Sequence, residues 1–145
     1  MTPLLDEISL TLLRALEENA RTTLQDLAKK VDLSGTAVSD RIRRLEEAGV
    51  ITGYHAHTNH AKIGYPIRAF IRLKAPRDHY SKVIALARSA IGVQECHHVA
   101  KEDSFYLRVL AASDQELKAM VTQFKAYGKA KAAIITSTPV EKHTT

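Results

Sequence analysis

The chain has 145 residues, of which 45% are hydrophobic and 26% charged, and its formal net charge is +5. This composition is typical of a folded globular protein and excludes a largely disordered one. No apolar run is long enough to cross a membrane and the N-terminus lacks a basic and apolar signal segment, so we expect a cytoplasmic protein with no membrane partner. Cys96 is the only cysteine, which excludes an intrachain disulfide and a cysteine-rich zinc finger.

The first 33 residues predict two short amphipathic helices. Asp6 lies near the start of the first, where the positive end of the helix dipole favours a carboxylate. Thr23 is a plausible N-cap of the second, and the chain must turn at Asp32 and Leu33. The apolar stripe of the first helix comprises Leu10, Leu13, Ala15 and Leu16, with Ile8 as a further candidate, and that of the second comprises Leu24, Leu27, Ala28 and Val31.

Residues 33 to 51, LSGTAVSDRIRRLEEAGVI, predict a third helix with one apolar and one polar face. Ser34 offers a hydroxyl N-cap, Gly49 a C-terminal cap, and Val50 and Ile51 begin an extended segment like the strand of a small wing. The buried stripe is Val38, Ile42 and Leu45. Helix, tight turn and helix in this order predict a helix-turn-helix that reads double-stranded DNA. The candidate DNA contacts are Thr23, Ser34, Gly35, Thr36, Ser39, Asp40, Arg43 and Arg44, with short polar groups suited to base edges and guanidinium groups suited to phosphates.

A plainer interpretation of the third helix remains open. Arg41, Arg43 and Arg44 are followed by Glu46 and Glu47, and these charges could form ion pairs within a solvated helix face. The basic surplus also lies elsewhere: residues 1–52 contain seven Lys/Arg and nine Asp/Glu, whereas residues 53–145 contain fourteen and seven. DNA affinity would then depend on the local cluster from Arg41 to Arg44 and on two or more heads acting together.

The rest of the chain predicts a second unit of the order β-α-β-β-α-β. Alternating runs at 67–74, 93–99 and 105–111 and a last strand from Ala132 to Ser137 enclose helical patterns around Val83 to Ala87 and Leu117 to Phe124. This order folds as a four-stranded antiparallel sheet with both helices on one face, the ferredoxin-like layout. We therefore expect an α+β protein with a helix-turn-helix (winged-helix-like) domain at 1–53, a linker at 54–64 and a ferredoxin-like βαββαβ domain at 65–145.

One face of that sheet has no helix to cover it. If the other face of these strands packs under the helices, the open face carries Phe70, Arg72, Tyr106, Arg108 and Leu110. Exposed aromatic and aliphatic side chains favour a partner, and pairing two such faces about a two-fold axis would make a homodimer with two DNA-reading heads. The alternative is a solvated face, which antiparallel sheets tolerate and which the two arginines favour.

The chain resembles the Lrp/AsnC family of transcription regulators over nearly its whole length. The resemblance is carried by LLDEISLTLLRALEENART at 4–22, LAKKVDLSGTAVSDRIRRLEEAGVITGY at 27–54, IGYPIRAFIRL at 63–73 and VQECHHV at 93–99. It implies a DNA-binding regulator with a ferredoxin-like dimerising and effector-sensing domain (RAM-type), which often assembles into tetramers or octamers and often responds to an amino acid.

The chain departs from the family where the effector would bind. The resemblance places the effector loop at Ala100, Lys101, Glu102, Asp103 and Ser104. The last four stand where members commonly have Gly-Asp-x-Asp, so Lys101 replaces a glycine that allows close backbone approach. The last strand likewise has Ala132 and Ile134 where threonines are expected. We therefore expect an altered small-molecule effector site, in which Lys101 could recruit a carboxylate or another anion.

Two other classes of function compete with this interpretation. His55, His57 and His60 lie close in sequence, and His97 and His98 form a pair, so a metal- or metabolite-binding sensor that uses its helix-turn-helix for protein contacts is an alternative. No carboxylate or cysteine joins these histidines at a diagnostic spacing, and we expect no metal and no cofactor. An enzyme is disfavoured because the chain has no glycine-rich phosphate loop and no GxSxG motif, and Cys96 has no evident base.

Overall fold

The computed structural model describes residues 4–100 and 104–141. These residues form two compact units, one comprising 4–57 together with 140–141 and the other comprising the described part of 58–139. The boundary near residue 58 falls in a stretch without strands, which continues into a short 3-10 turn at His60–Ile63.

The first unit contains three helices: α1 (Glu7–Glu18), α2 (Leu24–Val31) and α3 (Gly35–Glu47). Each begins at a residue whose side chain accepts a backbone N–H three residues later, namely Asp6, Thr23 and Ser34. The small core shared by the helices is formed by Leu12, Ala15, Leu27 and Val38, with half-buried apolar neighbours around it. The predicted caps and the helix-turn-helix order are confirmed.

The buried face of α1 differs from the predicted one. Leu12 is fully buried, whereas Leu10 and Leu13 are only half-buried. Ile8, Leu12, Ala15 and Leu16 contact the core and follow one helical face. Because this helix has apolar residues on several sides, its periodicity alone did not determine which side the other helices cover.

The expected wing strand at Val50 and Ile51 is not present. Gly49 has φ = +70° and follows the C-cap Ala48, as a C-terminal glycine should. The N–H groups of Val50 and Ile51 donate to the carbonyl of Leu45 at 2.9 and 3.1 Å, and that of Gly49 donates to Glu46 at 2.9 Å. These amides donate to carbonyl groups in the last turn of α3, so they are not available to pair with a neighbouring strand.

The second unit is a four-stranded antiparallel sheet with two helices. Its elements are β1 (Ile67–Lys74), α4 (Tyr80–Ser89), β2 (Val93–Val99), β3 (Ser104–Ala111), α5 (Asp114–Lys125) and β4 (Lys129–Ile134), and the strand order is β2-β3-β1-β4. The α+β fold class and the ferredoxin-like order are as predicted. The last strand begins at Lys129, three residues before the predicted start, and ends at Ile134.

The sheet has one face in the core, as the alternation predicted. Ala69, Ile71 and Leu73 of β1 are fully buried and pair with Val109, Leu107 and Phe105 of β3. Side chains of α4 and α5, such as Val83 and Phe124, belong to the same core. On the opposite face the side chain of Phe70 is 47% exposed, but Leu110 is only 5% exposed within a single chain. Leu110 was predicted to lie on the exposed face, but its backbone N–H donates to the carbonyl of Gly92 at 2.8 Å, so the chain that leads into β2 lies against this end of β3.

Candidate nucleic-acid interface

The turn between α2 and α3 is determined by local hydrogen bonds. The Oγ1 atom of Thr23 accepts the N–H of Asp26 at 3.1 Å, and the Oγ of Ser34 accepts the N–H of Ala37 at 3.2 Å. Asp32, at the C-cap of α2, has φ = 52° in the left-handed region, which Asp tolerates better than most residues. Thr23 and Ser34 are thus helix caps in this structure, and any contact with DNA would be additional to that role.

The exposed side of α3 faces an open depression of about 480 Å³ beside the start of α2. The depression is lined by Leu24, Gly35, Thr36, Ser39, Asp40 and Arg43. All of these except Leu24 were predicted from the sequence as DNA contacts, and the structure brings them together. Leu24 was placed in the buried stripe of α2, but it is 45% exposed. Its position as the first residue of the helix, directly after the cap, is the local reason.

An ion-pair network covers the polar face of α3 in the free chain. Asp40 pairs with Arg43 and, at 3.3 Å, with Nε of Arg44, while Nη1 of Arg43 lies 3.6 Å from Glu47. These side chains are about half exposed or more. The hydrogen bond to Asp40 raises the pKa of Arg43 further above its ordinary value. Exposed ion pairs of this kind contribute little to stability, so DNA phosphates can replace them. The ion-pair interpretation and a DNA-binding face are therefore compatible.

Arg41 does not belong to this face. Its Nη1 atom binds both carboxylate oxygens of Asp6 at 2.8 Å and the hydroxyl of Ser9 at 3.2 Å, and it is largely buried. The Ser9 backbone N–H and the Arg41 guanidinium together lower the pKa of Asp6 to about 2. Counting Arg41 in the DNA-facing cluster was wrong, because a contact between residues 35 positions apart is not visible in helical periodicity.

Tyr54 was not singled out in the sequence, yet it connects to α3. Its hydroxyl donates to the Glu46 carboxylate at 2.6 Å. Partial burial, followed by the hydrogen bond to Glu46, raises the pKa of Tyr54 to about 12. The residue therefore stays a neutral donor and attaches the segment after Gly49 to the last turn of α3.

The predicted effector loop lies only partly within the residues that the structure describes. Of this loop, Ala100 is exposed and Ser104 is fully buried at the start of β3, while Lys101, Glu102 and Asp103 lie outside the described residues.

Within residues 4–100 and 104–141, no three His, Cys, Asp or Glu side chains lie together as a metal site requires. In the same ranges, no helix is long and apolar enough to span a membrane.

Comparison with known proteins identifies the class of both units. Residues 5–52 match the winged helix-turn-helix DNA-binding family, and residues 68–145 match the Lrp/AsnC ligand-binding domain. The transcriptional regulator LrpA of Mycobacterium tuberculosis is 36% identical over 127 residues, covering 86% of this chain and 84% of its own. The chain belongs to the Lrp/AsnC family of transcriptional regulators. The resemblance stated from the sequence is confirmed, and the family consists of DNA-binding regulators, not enzymes.

Relatives and solved structures agree with this assignment. The leucine-responsive regulatory protein of Rhizobium meliloti is 40% identical over 111 residues, covering 74% of this chain and 70% of its own. The crystal structure of M. tuberculosis LrpA has a TM-score of 0.81 at 30% identity and covers 97% of this chain and 100% of its own. Bacillus subtilis LrpC, at 22% identity and a TM-score of 0.90 over 98% of this chain and 100% of its own, shows the same fold.

Proposed function

We propose that this Lrp/AsnC-family regulator binds specific DNA sequences through α3. The observation that carries the proposal is the capped helix-turn-helix whose exposed polar residues line one open depression. Thr36 and Ser39, in the N-terminal half of α3, have hydroxyl groups suited to base edges in the major groove. Arg43 and Arg44 are long exposed cations further along the helix, and they suit the phosphates on either side.

Gel-shift titrations at several salt concentrations test this assignment. Arg43→Ala and Arg44→Ala are expected to weaken binding to all sequences and to reduce the slope of log K against log salt by about 0.9 for each lost phosphate contact. Thr36→Ala and Ser39→Ala are expected to change sequence preference while leaving the salt slope unchanged. Unaltered affinity and preference in all four variants would contradict a DNA-reading α3.

We also propose that the open face of the sheet is a two-fold homodimer interface. Phe70 lies in register with Arg108 of β3 and Ala133 of β4, so the exposed ring is in the middle of the face. Arg72 lies over the Tyr106 ring at 5.6 Å, and Arg108 binds Glu95 at 2.9 Å. The ion pair with Glu95 neutralises Arg108, and Arg72 stacks on the Tyr106 ring. The two arginines therefore oppose burial of this face less than free charges would, which supports its packing against a second copy of the chain. A dimer, or a tetramer or octamer built from it, would bring two or more helix-turn-helix units to one operator. Binding of several units at once raises the affinity for DNA without new contacts in any one of them.

The effector response is proposed to differ from the family's usual one. A Neisseria meningitidis regulator that is 24% identical has a crystal structure in complex with L-methionine, so an amino acid binds that protein. By its resemblance to the family, this chain has Lys101 where members commonly have a glycine that lets backbone amides approach a carboxylate. We therefore propose weak or absent binding of free amino acids, with a different small molecule, such as an anion that pairs with Lys101, as the effector. A regulator of this kind acts on the cell's own DNA, and we expect it in the cytoplasm.

A further inference from the structure

A carboxylate lies in the middle of the helix face that is proposed to meet DNA. Asp40 is in α3, lines the depression with Thr36 and Ser39, and pairs with both Arg43 and Arg44. Its charge repels phosphates, and its two ion pairs hold the arginines along the helix. Both effects oppose sequence-independent binding, which depends almost entirely on phosphate contacts. A residue that only strengthened general DNA affinity would not be an aspartate at this position.

The chemistry of the major groove limits what an aspartate can recognise there. An ionised carboxylate only accepts hydrogen bonds. Guanine presents two acceptors, thymine presents an acceptor and a methyl group, and adenine presents its amino donor beside the N7 acceptor. Cytosine alone presents an amino donor with no acceptor on the same base. Moving the Asp40 carboxylate from its arginines to a base edge therefore costs least free energy when that base is cytosine.

We propose that Asp40 is a specificity-determining residue that selects cytosine at one position of each half-site, the part of the operator that one α3 contacts. Beside any other base the carboxylate stays with Arg43 and Arg44 and competes with the phosphates for them, which weakens their phosphate contacts without removing them. Opposite cytosine it accepts from the N4 amino group, and the two arginines turn to the flanking phosphates. The inference rests on the proposed sequence-specific binding by α3 and adds the identity of a base that this helix reads.

The experiment selects bound duplexes from a randomised DNA library with the full-length chain, then with Asp40→Asn. The unmodified protein is expected to enrich one cytosine per half-site. Asp40→Asn keeps the side-chain shape but can both donate and accept, so it should lose roughly 10-fold of the discrimination for cytosine and accept adenine in its place. Its affinity for unrelated DNA should rise, with a salt slope steeper by about 0.9 for each arginine released to a phosphate.

Glu47→Gln is the matched control. It removes the same charge from the same helix and from a partner of Arg43, which lies 3.6 Å away, but it leaves Asp40 in place. It should preserve the cytosine preference. Retention of that preference in Asp40→Asn, or its equal loss in Glu47→Gln, would overturn the role of Asp40 while leaving sequence-specific binding intact. If the unmodified protein enriches no sequence at all, the proposed function fails first and the inference fails with it.

Discussion

Replacement of Phe70 by alanine should dissociate the proposed dimer. The side chain is 47% exposed in a single chain, which corresponds to about 90 Å² for an aromatic side chain of roughly 200 Å². Burial of that area at about 25 cal/mol per Å² contributes ~2 kcal/mol. A two-fold interface contains the residue twice, so the loss is about 4 kcal/mol per dimer, or roughly a 1,000-fold increase in the dimer Kd.

Sedimentation or light scattering over a dilution series measures this change directly. Ile134→Ala is the matched control, because Ile134 is 52% exposed but pairs with the buried Ala69 and so lies on the opposite face of the sheet. The control should leave the dimer Kd within a few-fold. Leu110 is not a suitable second substitution, since it is already buried and its replacement would test folding. A Phe70→Ala protein that dimerises as tightly as the unmodified one would refute the open face as the interface.

Three further predictions concern the stability of the first unit and the effector. The pKa of Asp6 is about 2 in the folded chain, against an ordinary value of 3.8, so its charged form stabilises the fold above about pH 4 and this contribution is lost as the pH falls toward 2. Asp6→Asn or Arg41→Ala should weaken this pH dependence of stability when acid unfolding is followed by circular dichroism. An unchanged acid-unfolding profile in these variants would contradict the prediction. Gly49→Ala places a side chain at φ = +70° and should destabilise the protein by about 1 kcal/mol in chemical denaturation. Gly35→Ala, at the first residue of α3 with nothing within 4 Å of the new methyl group, should instead stabilise it by roughly 0.4–1 kcal/mol, because the unfolded chain loses conformational freedom. Changes of the same sign would count against this difference. Calorimetry with the twenty amino acids should give weak or no binding, and Lys101→Gly should increase it; micromolar binding to the unmodified protein would contradict an altered effector site.

Local features of this protein could be predicted from its sequence alone. Thr23 and Ser34 are caps, and Gly49 ends α3 in a left-handed conformation. Each depends on hydrogen bonds that span no more than five residues, so residue type and spacing contain the information. The period of two in Ile67–Lys74 likewise identified the core face of β1, because alternate side chains of a strand always lie on opposite faces.

Other features depended on which elements meet in space. The pairing of Arg41 with Asp6 joins α3 to the start of α1, and it removed one arginine from the predicted DNA-facing cluster. The selection of Leu12 over Leu13 for the core was made by the neighbouring helices, since α1 alone is apolar on several sides. Val50 did not begin a strand because its amide completes the end of α3. The sequence around such a residue does not specify which distant residue it will contact, because hydrophobic and ionic contacts have no fixed spacing along the chain. For these residues only tertiary packing decided the outcome.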